Sequence, residues 1–198
     1  SIYVGYGDGA YFMVRPLRSE QLRKIFYAPT NAAYQVWSID RISEQRLESE
    51  YLFFDAQLQP ISRRQNLKET FDPRSRPWYQ GAMQSQEHYS TAPYAFFSTG
   101  EIGTTIARKS SESTVVAADL TLADLSATLA SHQITPSTEV VLYSPDGSAV
   151  AYPDSSRLVV PGDTLQLAQA KDLSPVRAEF LSLGLAQGRQ DGVQLGEQ

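Results

Sequence analysis

The chain has 198 residues, 41% of them hydrophobic and 20% charged, a balance that builds a packed core and excludes a disordered chain. Its net charge of −5 repels phosphate backbones, so nucleic acid is not an expected partner. There is no cysteine, which excludes thiolate catalysis, cysteine-ligated zinc and disulfides, and no run approaches the ~20 apolar residues of a membrane span.

The first elements are β-prone. Ile2 to Tyr6 and Ala10 to Arg15 flank Gly7-Asp8-Gly9, whose glycines supply the positive φ of a tight turn, so a hairpin is expected. Asp8 is read as a turn residue rather than a metal ligand, since no second carboxylate lies nearby. Leu17 to Phe26 is mixed, with a short helical turn. Ala32 to Arg41 alternates Tyr34, Val36 and Ser38 with Gln35, Trp37 and Ile39, the period of a strand. Glu48 to Asp55 and Leu58 to Arg63 follow as strands around Asp55-Ala56-Gln57. Thr104 to Arg108 and Thr114 to Ala118 make a further pair. Strands joined this closely are antiparallel, because a parallel pair needs a long crossover.

Two helices are expected. Trp78 to Ser85 follows Pro77, which suits a first helical position. Leu122 to Ser131 has Thr121 as its cap and Asp124 three residues on, with Leu122, Leu125 and Leu129 on one face. Beyond His132, Thr135-Pro136-Ser137 reads as a linker. Val140 to Tyr143 and Ala149 to Tyr152 form a second hairpin around Pro145-Asp146-Gly147, and Leu165 to Ala170 is assigned a short helix. The chain opens directly on a strand and closes on Gly192 to Gln198, one strand of an unfinished hairpin. Both ends read as cut from a longer protein. The fold class is α+β, antiparallel sheets with flanking helices. One module runs over 1–133, and a second, incomplete one over 134–198.

The nine residues FDPRSRPWY, Phe71 to Tyr79, concentrate two prolines, two arginines and three aromatics. Pro73 and Pro77 stiffen the backbone. An arginine held there, Arg76, can present its planar fork to a carboxylate at little further entropic cost. Trp78 and Tyr79 offer flat apolar walls with polar tips, and Tyr94 and Phe96 belong to a second aromatic loop. Asp119 closes a strand at the edge of a helix cap. Arg76 toward an acid and Asp119 toward an amine would suit a zwitterion. Asp119 as a backbone-capping residue is an equal reading.

The segment FDPRSRPWYQGA (Phe71 to Ala82) resembles the DPR-x-RPWY-x-x-A signature of the double Cache (dCache) sensor domains of bacterial transmembrane receptors. YVGYGDGAYF (Tyr3 to Phe12) resembles their opening hairpin, VVAADLTLADL (Val115 to Leu125) their strand-to-helix junction, and VVLYSPDGSAVAYP (Val140 to Pro153) the opening of their membrane-proximal module. The resemblance implies two PAS-like modules on a long N-terminal helix, which is missing here. It implies a periplasmic or extracellular position between membrane helices that lie outside this chain, and a homodimer in the full receptor. A small ligand, a carboxylate or an amino acid, would bind the membrane-distal module without a cofactor or metal. In the amino-acid-binding branch an R-x-W-Y element, a later tyrosine, an aspartate two residues beyond it and a junction aspartate contact the ligand. Arg76, Trp78, Tyr79, Tyr94 and Asp119 occupy matching positions. Phe96 stands where the branch has aspartate, which implies a less polar ligand, such as a carboxylate without an amine.

Two other functions are weighed. An enzyme needs a nucleophile with a base or paired acids, and neither His88 nor His132 lies in such a motif. A ligand-free module would only dimerise or relay. The sensor reading leads, with a nucleotide cyclase, kinase or phosphodiesterase as output.

Overall fold

The computed structural model describes residues 1–43, 46–133, 135, 138–144, 146–160 and 165–174. The strand expected at 192–198 and part of the linker at 135–137 lie outside the described residues. No helix among them is long and apolar enough to cross a membrane. The chain divides into two compact units, Ser1–Leu120 and Thr121–Gln198.

The first unit is built on one antiparallel sheet. Its strands are β1 (Ile2–Gly5), β2 (Tyr11–Pro16), β3 (Tyr34–Ser43), β4 (Arg46–Phe54), β5 (Pro60–Gln65), β6 (Tyr89–Ser90), β7 (Tyr94–Ala95), β8 (Ile102–Ser111) and β9 (Thr114–Thr121). They run in the order β5-β4-β3-β2-β1-β9-β8-β6, with β7 also on β8. The opening hairpin therefore lies mid-sheet. Its turn closes where Gly9 adopts φ +91°, a conformation that a side chain resists.

Register decides what faces the core. Tyr3 lies opposite both Met13 and Ala117, Met13 opposite Trp37, and Trp37 opposite Tyr51. Directly opposed residues share a face, and every second residue along a strand returns to it. One face thus carries Tyr3, Tyr11, Met13, Trp37, Ile39, Val115 and Ala117, all buried. The other face presents Ile2, Phe12, Val14 and Val116, each more than a third exposed.

Two helices complete the unit: α1 (Glu20–Ile25), capped by Ser19, and α2 (Pro77–Gln84), entered through a 3-10 turn at Pro73–Ser75. Gly5 lets α2 approach the sheet. A Cβ at Gly5 would meet the Trp78 ring at 2.7 Å and Pro73 Cβ at 2.9 Å.

The second unit holds α3 (Leu122–Ser131), whose cap Thr121 accepts from the Asp124 amide at 2.9 Å as the sequence suggests. The helix packs on β11 (Ala149–Ala151), which pairs with β10 (Leu142–Tyr143). The helix expected to close the first module thus belongs to the second unit. The helix expected at Leu165 to Ala170 is instead β13 (Gln166–Leu167), paired with β12 (Val159–Val160), and then a 3-10 turn at Ala170–Asp172. Lateral bonds satisfy this backbone: Ala168 donates to Leu158 and accepts from Ala149. A segment this short forms no stable helix unless tertiary contacts favour one.

Candidate ligand site

The FDPRSRPWY segment resolves into a clamp and a free cation. Asp72 caps the 3-10 turn by accepting from the Arg74 amide at 2.9 Å. The Arg74 guanidinium then forks back onto Asp72, Nε to Oδ1 at 3.0 Å and Nη2 to Oδ2 at 2.7 Å. Those hydrogen bonds hold the Asp72 carboxyl below its ordinary range. Arg74 is therefore committed to the loop. Arg76, two residues on, is not. Its backbone caps α2, while its guanidinium makes no hydrogen bond or ion pair with any described residue. It lies 5.5 Å from the Phe97 ring centre and 5.9 Å from that of Phe71.

Beside it is a small cavity floored by the inward face of the sheet. Tyr3, Tyr11, Met13 and Trp37 form the floor, Trp78 and Phe71 one wall, and Tyr94, Phe96, Phe97 and Ser98 the other; Asp119 stands at the end of β9. The free volume is about 20 Å³, room for one water. A larger hollow of about 380 Å³ lies over β3, β4 and β5. It is the weaker candidate, because its charges answer one another: Arg46 pairs with Glu48 and Arg63 with Glu50.

The polar atoms of the aromatic cavity divide into satisfied and unsatisfied. Asp119 Oδ1 accepts from Tyr3 Oη and, at 2.7 Å, from Thr105 Oγ1, which bonds Tyr94 Oη at 2.8 Å. Asp119 Oδ2, Tyr11 Oη and Trp78 Nε1 have no hydrogen-bond partner among the described residues. None of the three is a fully buried atom left unsatisfied; among the described residues those are Gln35 Nε2 and Arg41 Nε. The three border the void beside the unpaired arginine.

Burial raises the Asp119 carboxyl above its ordinary value of 3.8, against the lowering effect of the two hydroxyls. A raised acid adds stability that is present below the unfolded value and lost as pH climbs through the folded one. Asp119→Asn keeps an acceptor for both hydroxyls and removes the buried charge. We expect this variant to gain about 1 kcal/mol over the wild type at pH 7 and to match it near pH 3.5. Urea melts of both proteins across that range check this; a wild-type advantage that grows with pH would contradict it.

Of the residues expected at the site, the structure brings together Arg76, Trp78, Tyr94, Phe96 and Asp119. It does not bring Tyr79, whose hydroxyl donates to the Ser113 carbonyl at 2.7 Å, away from the cavity. Asp119 also departs from its backbone-capping reading, since its carboxylate takes hydroxyls and Thr121 does the capping. His132 is the C-terminal cap of α3, with Nδ1 2.8 Å from the Thr128 carbonyl oxygen. Tyr3, Tyr11, Trp37, Phe71 and Thr105 were not anticipated as site residues. The period-two alternation of β1, β2 and β3 was the available signal for the first three, read as a shared face rather than strand by strand.

No family model matches the chain. Adenylate cyclase 1 of Rhizobium meliloti (strain 1021) is 31% identical over 159 residues, covering 79% of this chain and 24% of that protein. The chain thus spans about a quarter of its curated relative. Among solved structures, the ligand-binding domain of the Pseudomonas fluorescens chemoreceptor CtaA in complex with L-alanine is 32% identical, with 64% of this chain and 52% of that one covered and a TM-score of 0.40. The ligand-binding domain of the Pseudomonas aeruginosa PAO1 amino acid chemoreceptor PctC in complex with GABA is 22% identical over 81% of this chain and 60% of that one, TM-score 0.40. Superpositions this loose transfer no residue's role. In the order of its motifs and in the antiparallel sheet on which the RPWY helix is seated, the chain resembles the double Cache (dCache) sensor domains.

Proposed function

We propose that the first unit binds a small organic acid in the aromatic cavity, with Arg76 taking the carboxylate, and that the domain works on the outer side of a bacterial inner membrane. The observation that carries this is the Arg76 guanidinium, flanked by Phe71 and Phe97 and unpaired, beside a cavity where Tyr11 Oη and Trp78 Nε1 also lack partners. Donors outnumber acceptors there, so the complementary ligand is rich in oxygen acceptors. A primary ammonium would meet Asp119 but not a second carboxylate, because Phe96 occupies the other position. An acid without an amine fits better than an α-amino acid. The chain acts by binding rather than by catalysis. The relative named as an adenylate cyclase supports a cyclase output in the complete protein.

Even a four-carbon acid exceeds about 20 Å³, so the cavity opens to admit one. The opening is assigned to the turn from β7 to β8, which is closed by two backbone hydrogen bonds, Gly100 to Phe96 and Phe96 to Glu101, and leaves Phe97 55% exposed. Ligand would favour the open arrangement through differential affinity, and β8 and β9 would carry the change to Asp119 and the rest of the chain.

The small cavity volume also favours a second reading, a relay that binds nothing. A thermal-shift panel of short carboxylates, amino acids and amines separates the two. At a hundredfold excess over Kd, an acid should stabilise the domain by about 2.7 kcal/mol, a rise of about 5–10 °C. A melting temperature unmoved across the panel would favour the relay.

A further inference from the structure

A second guanidinium stands behind the cavity wall. Arg15 on β2 is 4% exposed and has no carboxylate within ion-pair distance among the described residues. Its Nη1 donates to Gln35 Oε1 at 3.0 Å, and its Nη2 to Ser98 Oγ and to Met13 Sδ, the latter at 3.1 Å. Its Cζ lies 4.3 Å from the Phe26 ring centre. A buried cation without a counter-charge is costly, and this one leans on neutral acceptors. Gln35 gives up its oxygen to Arg15, and its fully buried Nε2 is left without an acceptor.

Ser98 is the link to the cavity. Its oxygen accepts from Arg15, no described residue accepts its proton, and the residue lines the cavity together with Met13. A hydroxyl bonded to a guanidinium is a strengthened donor, free to rotate toward an acceptor. The preceding residue is Phe97, which lies against Arg76. Consecutive residues are 3.80 Å apart at Cα, so two guanidinium-backed points converge on one short stretch of chain.

We infer that Ser98, backed by Arg15, reads a second acidic group, and that the ligand is a short dicarboxylate bridging Arg76 and Ser98. This rests on the reading of Arg76 as the carboxylate anchor. A ligand with one acid and an alkyl tail satisfies Arg76 and leaves the Ser98 proton without an acceptor and the Arg15 charge without a counter-charge. A second carboxylate answers both.

Calorimetric titration of the 198-residue chain with succinate and with butyrate, equal in carbon count and differing in one carboxylate, tests it. The wild type should bind succinate at least about tenfold tighter than butyrate. Ser98→Ala should shrink that ratio to about threefold or less, and Ser98→Thr, which keeps the hydroxyl, should retain it. Circular-dichroism melts confirm that each variant folds. Equal affinity for the two acids in the wild type, a preference that survives Ser98→Ala, or no heat with succinate each overturns the inference. The Arg76 reading fails separately: it falls when no acid of the wider panel binds, or when one binds equally well to Arg76→Ala.

Discussion

Arg76→Ala should abolish acid binding while leaving the fold almost untouched. Among the described residues the guanidinium lies against the Phe71 and Phe97 rings and makes no hydrogen bond or ion pair, and such ring contacts are worth about 0.5–1 kcal/mol each where exposed. Its removal should therefore cost about 1 kcal/mol of stability. In the complex the same group would face a carboxylate across a desolvated cavity, and truncating one partner of such a pair costs about 2–5 kcal/mol. The expected affinity loss is at least about 30-fold. Arg76→Lys keeps the charge and loses the planar fork, so it should recover part of the affinity. Titration with the strongest acid of the panel, beside a urea melt of each variant, separates binding from folding. A variant that loses affinity only in proportion to its stability would show that Arg76 is a packing residue.

Trp78→Ala should be the most destabilising single change at the site. The ring is 2% exposed and packs edge-on against Tyr3 at 4.9 Å and Tyr79 at 5.7 Å between centroids. Gly5 lies beneath it with no side chain to fill the hole. Deleting a buried tryptophan costs about 3–5 kcal/mol when the surroundings cannot collapse. For a domain of this size the melting temperature should fall by about 6–20 °C. Denaturant midpoints measure it, with an unchanged slope showing that the variant unfolds from the same native state. A loss under about 1 kcal/mol would mean that the helix is not seated on the sheet as described.

Much of this was legible in the sequence, for identifiable reasons. Gly7-Asp8-Gly9 between two alternating runs could only close a hairpin, and Pro77 marks where α2 begins. Thr121 and Asp124 mark the start of α3. Arg76 and Trp78 stand out as proline-stiffened backbone beside aromatics, and Tyr94, Phe96 and Asp119 through the resemblance to the dCache motifs; the five line one cavity, and their role toward a ligand is the proposal above.

The remainder depended on information that spacing does not carry. Trp78 and Tyr79 are adjacent, and successive helical residues point about 100° apart, so the two rings cannot both enter one cavity. Tyr79 goes instead to the Ser113 carbonyl. Arg15 is a charged residue at the end of a β-prone run, and its register opposite Gln35 places it on the buried face. Only the register, a long-range property, reveals that. The run from Leu165 to Ala170 is short and apolar, a pattern that strand and helix share, and pairing with β12 decides it.

A crystal structure of the domain grown with the strongest-binding acid of the panel tests the account most directly. It should show a carboxylate oxygen within about 3.2 Å of the Arg76 guanidinium, the Phe97 turn displaced outward and Tyr11 Oη engaged by the ligand. Acid seated elsewhere, or the cavity closed at saturating acid with Arg76 turned to solvent, would contradict the proposal that this arginine receives the signal molecule.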